Sequence, residues 1–320
     1  MSENVERSPG AVPVPQSIAS AATGYYGLPL LKKPVWTWEI PVYFFVGGAA
    51  GAAALIAETA RASGADPGLV RHARRMAAAG GLLSPALLIS DLGRPARFLY
   101  MLRVLKPQSP MSVGVWTVLA FSSAAGAAAG ADFLPARVRE HRLVRRGQRA
   151  AAAAAALTGL GMSTYTGVLL GVTAIPVWAR HVRLLPLHFG FSGLGTAVSI
   201  LQLLGHRERA LHRLGIAAAA FESAAGAVLE AVPQRDDDPL RHGRSGTLMR
   251  VAGMLSGPVP LLLRAVGRRS RGLLVAAAVA TIAGSLATRL AWLAAGRASA
   301  TDPRTPLDLP DAAGRGTPAR

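Results

Sequence analysis

The sequence predicts an all-α polytopic membrane protein with eight transmembrane helices, arranged as two four-helix bundles. Two observations support this fold class. Of the 320 residues, 51% are hydrophobic and only 16% are charged, whereas a soluble domain carries about 25% charged residues. The apolar residues are also collected in long runs without charge, and several runs reach the roughly 17–25 residues that a helix needs to cross a bilayer.

Eight segments are predicted as spanning helices because each combines an apolar run with flanks that bring it to spanning length. The first five contain uninterrupted runs, whereas the sixth is interrupted by Glu222 and the seventh is short. In chain order, the predicted helices cover residues 36–61, 72–91, 112–132, 149–174, 183–205, 208–231, 248–266 and 271–296.

The two ends of the chain are predicted to lie outside this transmembrane domain of residues 36–296. Residues 1–35 contain several prolines and no apolar run, so we expect an extramembrane segment without a cleavable signal. Residues 297–320 are rich in Pro, Asp and Gly and are predicted to form a disordered tail.

The basic residues distinguish a membrane protein from a nucleic-acid-binding protein. The chain has 35 Lys and Arg against 17 Asp and Glu, a net charge of +18. These residues cluster between the apolar segments, as in 137–149 and 264–271, and not on one folded face. With eight spans, the loops opposite the termini carry the larger share of arginines, Arg264 included. The positive-inside rule therefore predicts a multi-pass protein of the cell membrane with both termini outside the cytoplasm.

Glycines four residues apart indicate where the predicted helices pack closely, because that spacing places both on one helix face. We interpret these pairs as packing seams and not as ligand sites. The pairs are Gly47/Gly51, Gly126/Gly130, Gly167/Gly171 and Gly253/Gly257.

An acidic residue and two tyrosines are predicted to lie at comparable depth in one leaflet. Glu39 and Tyr43 are four residues apart at the start of the first helix, and Tyr165 is near the same membrane face on the fourth. Two interpretations fit. The carboxylate and phenols form a site that binds and deprotonates a quinol, or they belong to an interfacial aromatic belt with Glu39 at the headgroups.

Two further groups of polar residues are singled out. Asp91, Arg94, Arg97 and Ser109 lie in a Pro-, Gly- and charge-rich loop between the second and third helices, with Asp91 and Arg94 close enough to pair. Glu222, Glu230 and Arg289 lie within predicted helices. Since a buried arginine needs a carboxylate, we expect Arg289 to pair with one of the two glutamates, as a structural ion pair or as part of a proton relay.

Haem and iron–sulfur clusters are not expected in this chain. It has no cysteine. The histidines fall in loops or at predicted helix ends, apart from His188, which lacks an evident second histidine for haem. No metal site is predicted.

Several motifs resemble the NrfD/polysulfide-reductase membrane-subunit family. They are Tyr26-Gly-Leu-Pro, then Trp36-x-Trp-Glu-Ile-Pro-x-Tyr43, the run Asp91-Leu-Gly-Arg-Pro-x-Arg-Phe98, Ser109-Pro-Met-Ser-x-Gly-x-Trp116 and Tyr165-Thr-Gly-x-Leu-Leu170. The likeness is strong over residues 25–205 and weaker to residue 296.

The resemblance implies a membrane anchor subunit of a molybdopterin oxidoreductase complex. It implies menaquinone or ubiquinone near the outer face, at the positions of Glu39, Tyr43 and Tyr165. It also implies a ferredoxin-like iron–sulfur partner, docked on the loop that contains Asp91 and Ser109, and a molybdopterin catalytic subunit. Two other functions stay open from the residues alone: a polytopic transporter, and a structural anchor that binds no quinone.

Overall fold

The computed structural model describes residues 31–92, 94, 96–231, 238–267 and 270–301. Helices and connecting turns account for these residues, and no strand occurs among them, as the predicted all-α class requires. The N-terminal motif around Tyr26 and residues 302–320 of the predicted tail lie outside the described residues, whereas residues 297–301 of that predicted tail belong to the last helix.

The helices alternate long and short elements. In chain order they are α1 (Glu39–Ala62), α2 (Pro67–Asp91), α3 (Ala96–Met101), α4 (Pro110–Gly130), α5 (Ala136–Arg139), α6 (Arg142–Gly171), α7 (Pro176–Arg180), α8 (Leu184–Leu203), α9 (Arg209–Ala231), α10 (Asp238–Arg241), α11 (Gly243–Ser256), α12 (Pro258–Val266) and α13 (Arg271–Thr301).

Seven stretches of the described chain are helical, long and apolar enough to cross a membrane. They are Glu39–Ala62, Pro110–Phe133, Arg142–Gly171, Leu184–Leu203, Arg209–Ala231, Gly243–Val266 and Arg271–Thr301. The predicted segment 72–91 is also helical, within the 25-residue α2. Helix α2 is not among the seven because Arg71, Arg74 and Arg75 occupy its first half. These charges make the helix too polar to count as an apolar span.

Two helices begin earlier than the apolar runs suggest, because a polar side chain caps each one. Asp66 precedes α2, and its Oδ2 accepts a hydrogen bond from the Leu69 N–H at 3.1 Å. His141 precedes α6, and its Nδ1 accepts from the Leu143 N–H at 3.4 Å. The arginine-rich residues after His141 are therefore helical and extend α6 beyond its apolar part.

The seventh predicted segment is a broken helix. Its two parts, α11 and α12, meet at Gly257, which is followed by Pro258 and Pro260. Neither proline can donate a backbone hydrogen bond, so the helical ladder is interrupted there. Glycine at the break also allows close packing, since a Cβ at 257 would lie 2.8 Å from the Ser223 backbone nitrogen on α9.

The first helix is the centre of the packing. It contacts α2, α6, α8 and α13, and most of its residues are buried. Its glycines allow these contacts: a Cβ at Gly51 would overlap the carbonyl oxygen of Gly159 on α6, and a Cβ at Gly193 on α8 would lie 2.7 Å from the Gly48 carbonyl oxygen. The predicted seam at positions 47 and 51 is confirmed.

The other predicted glycine seams have mixed outcomes. Gly167 and Gly171 pack against the backbone at Leu185 and Val182, and Gly257 packs against α9, as expected. The prediction is wrong for three other glycines, because an added Cβ would meet no atom of the described residues within 4 Å. These are Gly126, Gly130 and Gly253. The four-residue spacing defines a helix face, but it does not determine whether that face meets another helix.

The helices after α7 pack mainly on one another. The long α13 contacts α8, α11 and α12, while α9 contacts α8 and α12. The first group, α1, α2, α4 and α6, is joined to them where α1 and α6 contact α8.

The glycine contact at the centre can be tested by adding one methyl group. We expect Gly51→Ala to lower the free energy of unfolding by about 1–3 kcal/mol, because the methyl group overlaps the α6 backbone. Gly126→Ala is the control, since its methyl group enters open space. Unfolding of both variants in detergent measures the difference, and equal stabilities would contradict the packing.

Candidate functional site

The two tyrosines predicted at one membrane depth lie where α1, α4 and α6 meet. Tyr43 is on α1 with 4% of its surface exposed, and its ring contacts Phe44. Tyr165 is half-buried on α6, against Gly114 of α4. A Cβ at Gly114 would be 2.5 Å from Cε1 and 3.0 Å from the hydroxyl oxygen of Tyr165, so glycine makes room for the phenol. The two phenols are near enough to interact electrostatically.

The Tyr165 hydroxyl is a buried polar group whose contact with the Gly114 backbone is too distorted to count as a normal hydrogen bond among the described residues. Its oxygen is shielded from solvent and makes no hydrogen bond of normal geometry to a described residue, although it lies beside the Gly114 backbone. Leaving a buried hydroxyl unpaired costs about 1–3 kcal/mol, and such groups are rare in folded proteins. A ligand that carries a carbonyl oxygen would accept a hydrogen bond from it.

Glu39 lies in the first turn of α1 and is half-buried. Its carboxylate accepts a hydrogen bond from the hydroxyl of Thr37. The same hydroxyl oxygen lies 3.0 Å from Oδ1 of Asp91 at the end of α2. A hydroxyl has one proton to donate, so it satisfies both carboxyl groups only when one of them is protonated. The Thr37 hydroxyl therefore contacts both Glu39, the acid singled out from the sequence, and Asp91, the first residue of the loop motif.

The other loop-motif residues have different surroundings. Arg94 is exposed and forms no ion pair with Asp91 in the described part of the chain. Arg97 belongs to the short helix α3. Ser109 has a local structural role, since its hydroxyl accepts from the Ser112 N–H at 3.4 Å and caps α4. Large apolar side chains are exposed on α3 and the residues that follow it: Leu99, Tyr100, Val104, Leu105 and Met111.

Three tryptophans and an arginine connect the start of α1 to the end of α13. Trp36 stacks on Trp178 with ring centroids 5.6 Å apart, and the Trp178 indole N–H donates to the Trp292 carbonyl oxygen at 2.8 Å. The Arg297 guanidinium donates to the Trp36 carbonyl oxygen. The two ends of the helical domain therefore lie on the same side.

A sequence profile described as "Polysulphide reductase, NrfD" matches residues 30–225, more than half of the chain. The chain belongs to the NrfD family. This confirms the resemblance that the motifs indicated. No curated protein matches the chain. With seven apolar helices, this NrfD chain is a multi-pass membrane subunit of the polysulphide-reductase type, a family whose members associate with other redox subunits.

The NrfD match ends within α9, and beside that point lies a second polar site. Glu222 and His188 are 3% and 5% exposed, and His188 Nδ1 lies 3.2 Å from Glu222 Oε1. The two groups thus lie within ion-pair distance, and neither side chain makes a hydrogen bond of normal geometry to a described residue. Both residues line a cavity of about 400 Å³, which Met249, Met254 and Pro258 also border.

Arg289 has partners that differ from the predicted ones. It is fully buried, but no ion pair to Glu222 or Glu230 occurs among the described residues. Its guanidinium donates to the hydroxyl of Ser192 and, at 2.9 Å, to the carbonyl oxygen of Phe189, whose ring lies 4.6 Å below it. Glu230 is exposed, and Glu222 lies near Arg289 without forming an ion pair with it. Neutral oxygens and an aromatic ring thus contact the terminal nitrogens of an arginine for which the sequence suggested a carboxylate, while its Nε has no hydrogen-bond partner among the described residues.

Arg264 is a second fully buried arginine, which the prediction wrongly counted as a loop charge. It donates to Gln202 Oε1 at 2.6 Å and to Ser199 Oγ at 2.9 Å, both on α8. Gly215 on α9 leaves space for it, since a Cβ there would lie 2.8 Å from the guanidinium carbon. The sequence did contain one indication of this buried arginine. Ser199 and Gln202 lie three residues apart in an otherwise apolar helix, and such a polar pair suggests a polar partner on a neighbouring helix.

The neutral environment of Arg289 predicts unequal effects for two charge-removing variants. Arg289→Ala leaves a cavity and unpaired oxygens on α8, so we expect a loss of about 2–4 kcal/mol in unfolding free energy. Glu222→Gln keeps the side-chain shape and should cost much less. Unfolding of the two variants in detergent measures both values, and equal losses would indicate that the two residues act as an ion pair.

Proposed function

We propose that this NrfD-family subunit binds a membrane quinone or quinol between α1, α4 and α6, and exchanges electrons with an iron–sulfur partner subunit. The observation that carries the proposal is the buried hydroxyl of Tyr165, which lies beside Tyr43 and makes no hydrogen bond of normal geometry to a described residue. The quinone, menaquinone or ubiquinone, supplies two-electron chemistry coupled to two protons.

The tyrosines have the binding role in this proposal. The Tyr165 hydroxyl donates a hydrogen bond to a carbonyl oxygen of the ligand head group, which relieves the cost of its burial. Tyr43 forms the buried wall on the α1 side, held by Phe44 and by the close approach of Gly47 to Met162. Donation from a fixed phenol orients the head group at this end of the bundle.

Glu39 has the proton role. As a half-buried carboxylate in the first turn of α1, it would accept the two protons of a quinol one after the other, releasing each to water before the next, while both electrons go to the partner subunit. Thr37 and Asp91 supply the next positions of that route, because the Thr37 hydroxyl reaches both carboxylates. Asp91 precedes the loop to α3, so the route leads to the end of the bundle where both termini of the helical domain lie.

Electron transfer requires a partner, because this chain has no cysteine to hold an iron–sulfur cluster. We propose that a ferredoxin-like subunit docks on α3 and the following loop, and that a molybdopterin subunit completes the complex. The exposed apolar side chains from Leu99 to Met111 support docking there. The exposed cations Arg94, Arg103 and Lys106 favour an acidic partner surface.

The topology that fits this proposal has eight crossings in two four-helix groups, with both termini outside the cytoplasm. With seven crossings, the two ends of the helical domain would lie on opposite sides of the membrane. The contact between Arg297 and Trp36 instead requires these two ends to be on the same side. The helix that supplies the eighth crossing is α2. It starts beside the end of α1, and its last residue Asp91 contacts Thr37 at the start of α1, so the two helices have the same extent.

Quinone binding is tested with the full chain in nanodiscs, by tryptophan quenching with a short-chain quinone. Because one hydrogen bond is lost, we expect Tyr165→Phe to weaken binding about tenfold. Tyr100→Phe, an exposed tyrosine on α3, is the matched control. Equal affinity of both variants and the natural chain would exclude the Tyr165 site.

The role of Glu39 is tested in the assembled redox complex. We expect Glu39→Gln to reduce quinol-dependent turnover by about 10²–10⁴-fold while the complex stays assembled, because a positioned base is removed. Glu58→Gln, at the other end of α1, is the matched control. Unchanged turnover would favour a structural anchor without quinone chemistry.

A second candidate function, a proton or ion path through the second half of the helices, has its own observation. The buried His188–Glu222 pair lines a cavity beside the broken helix α11–α12. Interrupted helices and intramembrane carboxylates are typical of transport paths.

Proton uptake into liposomes that contain the chain tests this second function. The Glu222→Gln variant should abolish uptake, and the Glu230→Gln variant should not. Equal uptake in all three chains would exclude this path.

A further inference from the structure

The end of the bundle opposite Trp36 and Arg297 contains a cluster of histidines and carboxylates that the proposed function does not use. It lies where the loop between α1 and α2 meets the loop between α8 and α9. His72 Nδ1 and His206 Nε2 are 2.8 Å apart, with ring centroids 5.1 Å apart. Residues distant in sequence therefore bring two imidazoles into direct contact.

Asp66, His206 and Glu208 can place one ligand atom each around a common point. Their candidate ligand atoms all lie within 4.8 Å of one another, and His206 Nδ1 is 3.5 Å from Glu208 Oε1. In a tetrahedral zinc site with bonds of about 2.0–2.1 Å, neighbouring donor atoms are roughly 3.4 Å apart. The His206–Glu208 separation matches this spacing, and a carboxylate oxygen of exposed Asp66 lies within 4.8 Å of the other two donor atoms.

The contact between the two histidines suits a metal ligand. If the Nε2–H of His206 donates to His72 Nδ1, the other nitrogen of His206 is an unprotonated donor that faces Glu208. Metal-binding histidines almost always donate their second ring N–H in this manner, which sets their tautomer and orientation. His72 is then a positioning residue and not a ligand.

The two carboxylates are available for an ion. Asp66 uses Oδ2 to cap α2, which holds its side chain and leaves Oδ1 free. Glu208 Oε2 is buried without a hydrogen-bond partner. Arginines flank the site in sequence, yet neither carboxylate forms an ion pair with an arginine in the part of the chain that the structure describes.

We propose that Asp66, His206 and Glu208 bind one Zn²⁺, with water as the fourth ligand and His72 as the positioning partner of His206. Imidazole favours zinc over the oxygen-preferring Mg²⁺ and Ca²⁺, and two carboxylates balance the charge of the ion. The metal joins the α1–α2 hairpin to the α8–α9 hairpin and so stabilises the contact between the two groups of helices. The proposal is independent of quinone binding.

Metal content of the full chain tests the site. The chain is purified in detergent with a histidine-free tag, stripped with EDTA, incubated with equimolar Zn²⁺ and Mn²⁺, and analysed by mass spectrometry after gel filtration. We expect one zinc ion per natural chain. The His206→Ala and Glu208→Gln variants should each retain at least tenfold less zinc per chain. His72→Ala should retain zinc with about 10–100-fold lower affinity. Zinc should also raise the unfolding temperature of the natural chain and leave that of Glu208→Gln unchanged.

The matched control is His242→Ala, which removes an exposed histidine that lies next to another acidic residue, Asp238. It should bind zinc as the natural chain does. Glu208→Gln keeps the side-chain shape and serves if His206→Ala does not fold. The proposal is overturned if the natural chain retains no zinc, prefers manganese, or binds zinc equally in the Glu208→Gln variant.

Discussion

The close approach of α1 to its neighbours is the constraint on which the rest of the structure depends. Helices in lipid gain little from apolar burial against one another, so they associate through van der Waals contact and polar contacts. Gly48 and Gly51 allow the α1 backbone to touch the backbones of α8 and α6. With α1 at the centre, its first turn has a defined position relative to α4 and α6, and Tyr43 can lie beside Tyr165.

The second half of the chain uses a different device, since buried arginines connect its helices. Arg289 joins α13 to α8 through a hydroxyl and a backbone carbonyl, and Arg264 joins α12 to α8 through Ser199 and Gln202. Charge-assisted hydrogen bonds are stronger than neutral ones, and here the terminal nitrogens of both guanidinium groups donate to neutral acceptors. Glu222 instead lies beside His188 and lines the cavity.

Two polar clusters lie at opposite ends of the helical bundle. One set, from Tyr165 to Asp91, lies at the end that carries the boundaries of the helical domain, and the histidine cluster lies at the opposite end. The link between Glu39 and Asp91 through Thr37 means that the proposed quinone site and the proposed docking loop share one hydrogen-bonded group. A partner that binds α3 would therefore lie next to Thr37 and the two carboxylates that it contacts.

The sequence by itself determined the helical class, the apolar segments and the family. These depend on composition and on short motifs such as Asp91-Leu-Gly-Arg-Pro, and they need no knowledge of neighbours. It did not determine which glycines are seams, since Gly51 and Gly126 have the same local pattern and different surroundings. It also could not identify the partners of Arg289, the burial of Arg264 or the meeting of His72 with His206. Only the tertiary structure decided these, because a side chain's partner depends on which helices are adjacent and at what depth, and residues 134 positions apart carry no local sign of contact.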